Sequence, residues 1–340
     1  MIVKDRVNGR VSILVPCYNH ELFVSDCMDS IIDQSYTDIE LLICDDCSQD
    51  NSLDIIKRYE NKLRERLSGL VILSNSKNLG ITKTLNKLLE QASGEFIKVI
   101  ASDDMLHPKY IEHVLSEFLK MPDVDVITTN GYMINEDMTF SKLCSDIRDL
   151  SQRSDIIKDN EVYYKNAPDY SDNDETLFSK LYEGNFVFAL GTTIRASVFD
   201  RFGLYDEKII IEDWEYALRM AHEGCKFKYL DEKLCFYRIN QNSISSVKYN
   251  DGLENRRIMI FEAELAIIEK YGIFLPKKKY IKKKISQLLL AEEFAKKNRL
   301  NKMYSIVLGN ADYGLGEIIQ YGLLDYIIWQ IKKIIRLYLK

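Results

Sequence analysis

Residues 11–50, VSILVPCYNHELFVSDCMDSIIDQSYTDIELLICDDCSQD, contain two short apolar runs separated by a segment with helical spacing. The runs at 11–15 and 39–44 are rich in β-branched residues and predict buried strands. Between them, apolar residues recur every four positions within 21–34, which predicts an amphipathic helix. A strand, a helix and a second strand in this order predict a parallel βαβ unit with both faces covered.

The same alternation continues through the first 130 residues. It predicts further strands at 70–74, 96–101 and 124–129, and helices at 51–66, 82–91 and 108–120. Near-continuous apolar strands that alternate with helices predict an α/β fold in which helices flank a parallel sheet. In such a fold, ligands bind at the carboxyl ends of the strands.

Residues 140–175 lose this alternation and are polar, which predicts a loop or a short insertion. Beyond them the pattern predicts a strand, a helix and a strand at 186–193, 213–223 and 226–238. From about residue 254 onward the pattern is helical almost throughout. We therefore expect an α/β domain over 1–250 and a helical region over 251–340.

The net charge of −6 is unevenly distributed, with +9 on residues 271–340 and −15 on the rest of the chain. A basic end on an acidic body predicts contact with an anionic membrane surface, because the acidic body would repel nucleic acid. Seven irregularly spaced cysteines indicate a reducing compartment. Neither a signal-peptide core nor the roughly 18 consecutive apolar residues of a spanning helix is present, so we expect a cytoplasmic protein.

The basic end, residues 315–340, reads LGEIIQYGLLDYIIWQIKKIIRLYLK. At about 100° per residue, one sector contains Asp325, Lys332, Lys333, Arg336 and Lys340, and aliphatic residues fill the opposite side. This pattern is typical of a helix that lies in a membrane interface, and the lysines of 276–284 add attraction to anionic lipid. The alternative is a helix packed on its own domain or on a second subunit, and Trp329, inside the charged sector, weakens the lipid-facing interpretation.

Polar residues follow each of the first four predicted strands. They include Tyr18 and Asn19 after the first strand, Asp46 after the second, and Asp103 and Asp104 after the fourth. An aromatic ring can stack on a base, and adjacent carboxylates repel each other unless a cation lies beside them. Carboxylates together with phosphates are usual ligands of Mg²⁺ or Mn²⁺, so the pattern predicts a nucleotide diphosphate bound with a divalent cation. Each acid could instead cap a helix N-terminus.

Three segments resemble glycosyltransferase family 2, the inverting enzymes of the GT-A fold. They are 11–50, quoted above, NLGITKTLNKLLEQASGEFIKVIASDDMLHP at 78–108, and GTTIRASVFDRFGLYDEKIIIEDWEYALRMAHEG at 191–224. The resemblance covers about residues 8–248. It implies a mixed, Rossmann-like nucleotide-binding sheet flanked by helices, followed by a C-terminal helical appendage.

The resemblance also implies the residues of the donor site. Tyr18 would pack against the nucleotide base and Asp46 would read it, while Lys83 would approach the base or the phosphates. The full set of implied nucleotide-binding residues is Pro16, Tyr18, Asn19, Asp46, Lys83 and Asp103. Asp104 would bind the metal, Mn²⁺ or Mg²⁺.

Asp213 is the catalytic base that the resemblance implies, with Glu212 and Trp214 beside the donor sugar and the acceptor. Inverting transfer needs one base to take the proton from an acceptor hydroxyl. Asp213 opens a predicted helix after the apolar residues 209–211, so a rigid edge would carry it. A helix N-cap fits the same position.

Residues 238–245 depart from the family pattern. The family often carries Arg-x-His-x-x-Ser-x-Ser in a segment that closes over the diphosphate, and this chain reads RINQNSIS. Arg238 and Ser243 are retained, whereas Asn240 replaces the histidine and brings no positive charge. The four histidines have no ligand-like spacing and predict surface or packing roles: His20, His107, His113 and His222.

The sequence therefore predicts a metal-dependent inverting glycosyltransferase, peripheral on the inner face of the membrane. It would move one sugar from a UDP-sugar to a lipid-linked or surface glycan, with no nucleic-acid partner. A processive synthase is disfavoured because Q-x-x-R-W is absent. A sugar-nucleotide-forming nucleotidyltransferase would carry a glycine- and arginine-rich loop after Val15, which is also absent. A non-catalytic module that binds nucleotide sugars or a membrane surface stays open.

Overall fold

The computed structural model describes residues 5–144, 156–157, 174–239 and 254–274. The chain divides into two units, Met1–Tyr249 and Asn250–Lys340. Asn240 and Ser243, from the predicted diphosphate loop, lie outside the described residues. So do residues 315–340, the predicted membrane-binding end.

The first unit contains nine strands within its described residues. In chain order they are β1 (Val7–Cys17), β2 (Ile39–Asp45), β3 (Gly69–Ser74), β4 (Gly94–Val99), β5 (Met105–Leu106), β6 (Val126–Ile134), β7 (Ile156–Ile157), β8 (Thr192–Arg195) and β9 (Phe227–Arg238). Its described helices are α1 (Val24–Ile32), α2 (Ser52–Arg66), α3 (Ile81–Leu89), α4 (Tyr110–Lys120), α5 (Phe140–Cys144), α6 (Asp174–Glu183), α7 (Ala196–Phe202) and α8 (Glu212–His222).

All nine strands belong to one sheet, in the order β3-β2-β1-β4-β8-β6-β9-β5, with β7 paired to β6. The predicted parallel arrangement is confirmed for the first four strands, since β1 pairs in parallel with β2 and β4, and β2 with β3. β8 then runs antiparallel to both β4 and β6, and β5 is antiparallel to β9. The sheet is therefore mixed, as the family resemblance implies.

Helices cover both faces of the parallel part of the sheet. Alternate residues of β1, namely Val11, Ile13 and Val15, are fully buried in a core that also contains side chains of α1, α2 and α4. Helix α3 contacts β1 and β2 and buries Leu85 and Leu88. Burial of strand residues on both faces explains why these strands have near-continuous apolar sequences.

The strand predicted at 186–193 is wrong over most of its length. Ala189–Gly191 form a 3₁₀ turn, and only Thr192–Arg195 form a strand. The turn is closed at the carbonyl of Phe188, which accepts the Gly191 N–H at 2.9 Å and the Thr192 hydroxyl at 2.7 Å. A Cβ atom at Gly191 would collide with the carbonyl oxygen of Thr129, so the turn packs directly on β6. Because a buried turn and a buried strand both have apolar sequences, the sequence pattern did not distinguish them here.

The described part of the second unit is one helix, α9 (Glu254–Gly272), which agrees with the helical pattern after about residue 254. Ala263, Ile267 and Tyr271 recur every fourth residue and are buried, whereas Ile273 and Phe274 are exposed. Among the helices of the described segments, none has the length and apolarity to cross a membrane.

Candidate active site

The loops that follow β1, β2 and β4 meet at one edge of the sheet. The N–H of Asp46 donates to the carbonyl of Cys17 at 2.8 Å, and the N–H of Ile100 donates to the carbonyl of Leu14 at 3.1 Å. Because these strands are parallel neighbours, the polar residues after them lie on the same edge. This edge carries Pro16, Tyr18, Asn19, Asp46, Asp103 and Asp104.

Tyr18 lies on a fixed turn with its ring in solvent, at 42% exposure, while Pro16 is half-buried. The next residue, Asn19, has a left-handed φ of 54°. Its N–H donates to the Ser48 hydroxyl at 2.9 Å, and its side-chain oxygen accepts the Gln49 N–H at 2.7 Å. The loop after β1 is thus joined to the loop after β2, and the Tyr18 ring has a flat apolar face available for stacking.

Asp46 is buried and holds the start of α3. Its Oδ1 accepts the N–H of Leu79 and the amide of Asn75, each at 2.8 Å, and its Oδ2 accepts the N–H of Gly80 at 2.8 Å. Gly80 has a φ of 83°, a backbone conformation that glycine adopts without strain. A carboxylate has about four acceptor positions, so one remains on Asp46 for a ligand.

Two lysines of α3 differ in their surroundings. Lys83 is exposed in the first turn of the helix. Lys87, one turn later, donates to the side-chain oxygen of Asn75 at 2.8 Å and so reaches Asp46 through that amide. Asn75 is one of the polar residues that follow the third predicted strand, whereas no sequence motif marked Lys87. The spacing of four residues between the two lysines is the available signal.

Asp103 and Asp104 are 7% and 4% exposed. Burial, and next the charge of Asp103, raises the pKa of Asp104 well above its ordinary value. Asp104 does not cap a helix, because α4 begins only at Tyr110 and Oδ1 of Asp104 instead accepts the N–H of Arg238 at 2.9 Å. Two adjacent, poorly hydrated carboxylates form a place where a divalent cation would relieve repulsion.

A cation bound by these two carboxylates would need further ligands, either from other protein atoms or from a bound phosphate and water. Within the described residues, no group of three or more His, Cys, Asp or Glu side chains is arranged to hold a metal ion. Mg²⁺ and Mn²⁺ commonly complete their coordination with phosphate oxygens and water. The donor set therefore fits a cation that binds together with a diphosphate.

His20 lies beside the acid pair, which corrects the prediction that it is only a surface or packing residue. Its Nδ1 is 2.8 Å from the Ser102 hydroxyl and 3.9 Å from Oδ1 of Asp103. Its main-chain N–H donates to the Ser52 hydroxyl at 2.9 Å, which fixes the loop after β1. No sequence spacing connects residues 20 and 103, because the sheet brings them together.

Lys98 places a positive charge inside the protein on β4, a few residues before the acids. Its side chain is fully buried, donates to the carbonyls of Leu190 and Thr192, and lies 4.3 Å from the ring centre of Tyr110. Burial lowers the pKa of Lys98 to about 8, while the charge of Asp104 opposes this effect. The 3₁₀ turn before β8 therefore supplies an acceptor that the lysine needs.

Arg238 does not occupy the place that the family resemblance implies. Its side chain is 1% exposed rather than open to a diphosphate. The guanidinium donates to the main-chain carbonyls of Asp103 at 2.8 Å, Glu136 at 2.7 Å and Met138 at 2.5 Å, and to the Asp26 carboxylate at 3.3 Å. Arg238 thus supports the acid pair from the protein interior.

Asp213 lies in the first turn of α8 and is half-buried, as is Glu212. It is not the N-cap, which is Ile211. Oδ1 of Asp213 accepts the N–H of Trp214 at 2.8 Å, and Oδ2 accepts the side-chain amide of Asn185 at 3.0 Å. Burial raises the pKa values of both acids, and the charge of Asp213 raises that of Glu212 further.

Trp214, predicted beside the acceptor, has a buried ring whose Nε1 donates to the carbonyl of Leu181 at 2.7 Å. It therefore packs behind Asp213 and joins α8 to α6. Asn185, in the loop after α6, is the residue that sequence analysis missed here. No local pattern marks it, because its partner is 28 residues away.

Helix α3 connects the Asp46 loop to the segment that leads into α8. The Thr82 hydroxyl donates to the carbonyl of Ile209 at 3.2 Å. Asn86 donates to the carbonyl of Tyr205 at 3.0 Å and accepts the N–H of the same residue at 3.0 Å. The structure thus links the predicted donor residues to the segment carrying Asp213.

The chain is similar in sequence to a known protein family and to several known proteins. Residues 12–188 match the description "Glycosyl transferase family 2". The chain is 26% identical over 266 residues to an uncharacterized glycosyltransferase, EpsJ, of Bacillus subtilis, covering 77% of this chain and 71% of that protein. It is 29% identical over 257 residues to a chondroitin synthase of Pasteurella multocida, covering 75% of this chain but only 23% of the synthase.

A solved structure shares the fold. Residues 1–349 of TarS from S. aureus, in complex with UDP-GlcNAc, superpose with a TM-score of 0.55 at 18% identity, covering 89% of this chain and 76% of that one. This likeness supports the GT-A arrangement that the sequence resemblance implies.

Proposed function

The chain belongs to glycosyl transferase family 2, and on that premise we propose that it moves one sugar from a UDP-sugar to a hydroxyl group of a lipid-linked or surface glycan. The observation that carries the proposal is the buried pair Asp103 and Asp104 on the sheet edge where Tyr18 exposes its ring. A base-stacking ring and a cation-binding pair are what a nucleotide diphosphate needs. UDP as the nucleotide is supported by the complexes of TarS with UDP and UDP-GlcNAc.

Asp103 and Asp104 would hold Mn²⁺ or Mg²⁺. Carboxylate oxygens are the ligands that these cations prefer. Burial and the charge of Asp103 raise the pKa of Asp104, so a negative charge on Asp104 is not fully compensated, and a cation would supply the missing positive charge. When bound, the cation supplies positive charge against the leaving diphosphate. The protein's own contribution is to orient Oδ1 of Asp104 through the N–H of Arg238 and to exclude water around both acids.

Asp213 would act as the base. Its carboxylate takes the proton of the acceptor hydroxyl while the hydroxyl oxygen bonds to the anomeric carbon and the bond to the diphosphate breaks, which inverts the configuration. A base with a pKa raised toward neutrality is better matched to proton transfer from a hydroxyl than an ordinary, fully solvated carboxylate. Glu212, beside it, would line the space for the donor sugar or the acceptor.

We further propose that residues 315–340 hold the enzyme on the anionic inner face of a cell membrane, where a lipid-linked acceptor would be found. The support is the basic, amphipathic sequence of this segment and the net charge of +9 over 271–340. The names of relatives that build polymers, such as chondroitin synthase, support a glycan acceptor.

A donor screen tests the proposed function. The full chain is heated with UDP, UDP-GlcNAc, UDP-glucose and GDP-mannose, each with and without Mn²⁺, and UDP release is measured in parallel. A ligand at 100 times its dissociation constant stabilises the fold by about 2.7 kcal/mol. We expect a UDP-sugar to raise the melting temperature only when Mn²⁺ is present, with slow release of UDP.

Two variants sharpen this screen. Asp104→Asn should lose the Mn²⁺-dependent stabilisation, whereas Asp123→Asn, an exposed acid paired with Lys226, should keep it. Stabilisation by a UDP-sugar with no turnover in water or with any glycan acceptor would favour the non-catalytic binding module. The absence of stabilisation by every nucleotide sugar would refute the proposed donor site.

A further inference from the structure

Asn185 contacts the proposed base from the loop that follows α6. Its Nδ2 donates to Oδ2 of Asp213 at 3.0 Å, and its Oδ1 accepts the N–H of Val187 at 3.1 Å. The bond to Val187 determines which end of the amide faces the acid, because only the NH₂ group can donate to a carboxylate. Oδ1 of Asp213 accepts the N–H of Trp214, so both carboxylate oxygens have a fixed partner.

The two residues lie on elements that are held together independently of their own hydrogen bond. Nε1 of Trp214 donates to the carbonyl of Leu181, which joins the start of α8 to α6. Helices α6 and α8 also pack against each other. The Asn185 side chain is therefore presented to Asp213 by a packed interface rather than by an unsupported loop.

We propose that Asn185 is a positioning residue for glycosyl transfer, which holds the Asp213 carboxylate in its ionised form with its free lone pairs directed away from α6 and toward the acceptor. This inference rests on the proposed role of Asp213 as the base. A hydrogen bond donated to a carboxylate favours the charged form. Here that bond opposes burial, which raises the pKa of Asp213.

Among the described residues, Glu212 interacts with the charge of Asp213, and Tyr205 interacts with the charges of Glu212, Asp213, Glu215 and Arg219. Glu215 and Arg219 pair with each other at 2.6 Å, so their charges largely cancel. Burial raises the pKa of Tyr205, which keeps it neutral. Burial and the charge of Asp213 raise the pKa of Glu212 to about 8, so Glu212 adds little negative charge at neutral pH, and burial is the effect that the Asn185 amide opposes.

Asn130 provides a matched control. Its side-chain oxygen accepts the N–H of Gly131 at 2.8 Å and its amide donates to Asp231 at 3.2 Å, the same pattern of one main-chain and one carboxylate partner. It lies on β6, and no role in catalysis is assigned to it. Asn130→Ala therefore measures how the loss of a similarly bonded amide affects stability and rate when nothing changes beside Asp213.

The experiment measures kcat/KM against pH for UDP release from UDP-GlcNAc with water as acceptor, in the full chain with Mn²⁺. The variants are Asn185→Ala, Asn185→Asp, Asn130→Ala and Asp213→Asn. In parallel, the side-chain carboxyl of Asp213 is titrated by ¹³C NMR and is identified by its loss in Asp213→Asn.

We expect Asn185→Ala to move the acid limb of the profile by about one pH unit toward alkaline pH. The free energy of a hydrogen bond to a charged group corresponds to a pKa shift of about this size. The rate should fall about tenfold below the limb and recover above it, with KM for UDP-GlcNAc unchanged. Asn185→Asp, which adds a negative charge, should move the limb further. Asn130→Ala should keep the wild-type limb.

An Asp213 titration that is identical in wild type and Asn185→Ala would overturn the positioning role, as would a rate loss that is equal at every pH. The proposed function fails in a different way. If Asp213→Asn releases UDP at the wild-type rate, the base is misassigned, whatever the Asn185 variants do.

Discussion

Arg238 contacts both members of the acid pair: its N–H donates to Oδ1 of Asp104 at 2.9 Å, and its Nε donates to the carbonyl of Asp103 at 2.8 Å. One buried residue at the end of β9 therefore fixes two consecutive residues after β4. Because the same guanidinium also binds carbonyls in the loop after β6, the position of the acids depends on three separate parts of the chain.

Asp104→Asn separates activity from stability. The pKa of Asp104 is raised in the folded state, so its ionised form costs stability near neutral pH. The amide oxygen of Asn can still accept the N–H of Arg238. We expect the variant to melt at the wild-type temperature or above it, and to lose activity on the order of 100-fold.

The pH dependence of the stability difference between wild type and Asp104→Asn provides a control for this prediction. A raised carboxyl pKa contributes its stability below the unfolded pKa, and this contribution is lost as pH rises through the folded pKa. The melting curves of wild type and Asp104→Asn should therefore converge in acid and separate toward neutral pH. Full activity of Asp104→Asn, or of the wild type in excess EDTA, would contradict a metal role for this pair.

Asp213→Asn tests the base directly. Asn keeps the size of the side chain and can still accept the N–H of Trp214, but it cannot take a proton. Activity should fall by roughly 100-fold or more, while affinity for the donor should hardly change. If the variant loses donor binding yet turns over normally at saturation, Asp213 belongs to the donor site and is not the base.

The pH dependence should show a base with an elevated pKa. Burial raises the pKa values of Asp213 and Glu212, and only an ionised base can accept the proton. The value of kcat/KM should therefore decline as pH falls, with an acid limb above the ordinary carboxyl range. Burial and the charge of Asp213 raise the pKa of Glu212 to about 8, so Glu212 is already protonated when Asp213 titrates. Glu212→Gln should therefore leave this limb nearly in place, unlike Asn185→Ala. A profile that is flat down to the ordinary carboxyl range would contradict this assignment.

Local sequence patterns predicted the parallel half of the sheet and the edge that carries Tyr18, Asp46 and the acid pair. These elements are encoded within short segments, because an apolar strand must be followed by polar residues where it leaves the sheet. The insertion of β8 between β4 and β6 had no such signal, since its pairing joins residues far apart in sequence.

The same reason explains the errors at the site. Arg238 carries a charge, and sequence reasoning placed it toward a diphosphate, yet its partners are carbonyls and one carboxylate more than 90 residues earlier. The side chains of His20 and Asn185 have hydrogen-bond partners far away in sequence, Ser102 and Asp213. Contacts of this kind arise only when the chain has folded, so neither spacing nor composition marks them.

Residues 315–340 allow a test of membrane attachment that is independent of the active site. If this sequence forms a helix, Lys332, Lys333, Arg336 and Lys340 share one sector and aliphatic side chains occupy the other. Binding should then combine apolar insertion with attraction of about 1 kcal/mol per basic residue near an anionic surface. Deletion of 315–340 should release the protein from vesicles containing phosphatidylserine. UDP release should continue, because every proposed catalytic residue precedes residue 250.

Salt and lipid composition distinguish this attachment from a tail that packs on protein. High salt should weaken binding without abolishing it, since insertion of aliphatic side chains is not screened. Neutral phosphatidylcholine vesicles should bind less protein than anionic ones at equal lipid. If the aliphatic face instead packs on protein, its deletion should expose an apolar surface and cause aggregation, and the soluble full-length chain should not sediment with either vesicle. Co-sedimentation of both proteins with both vesicles decides between these outcomes, because only a lipid-binding segment gives attachment that depends on both anionic lipid and residues 315–340.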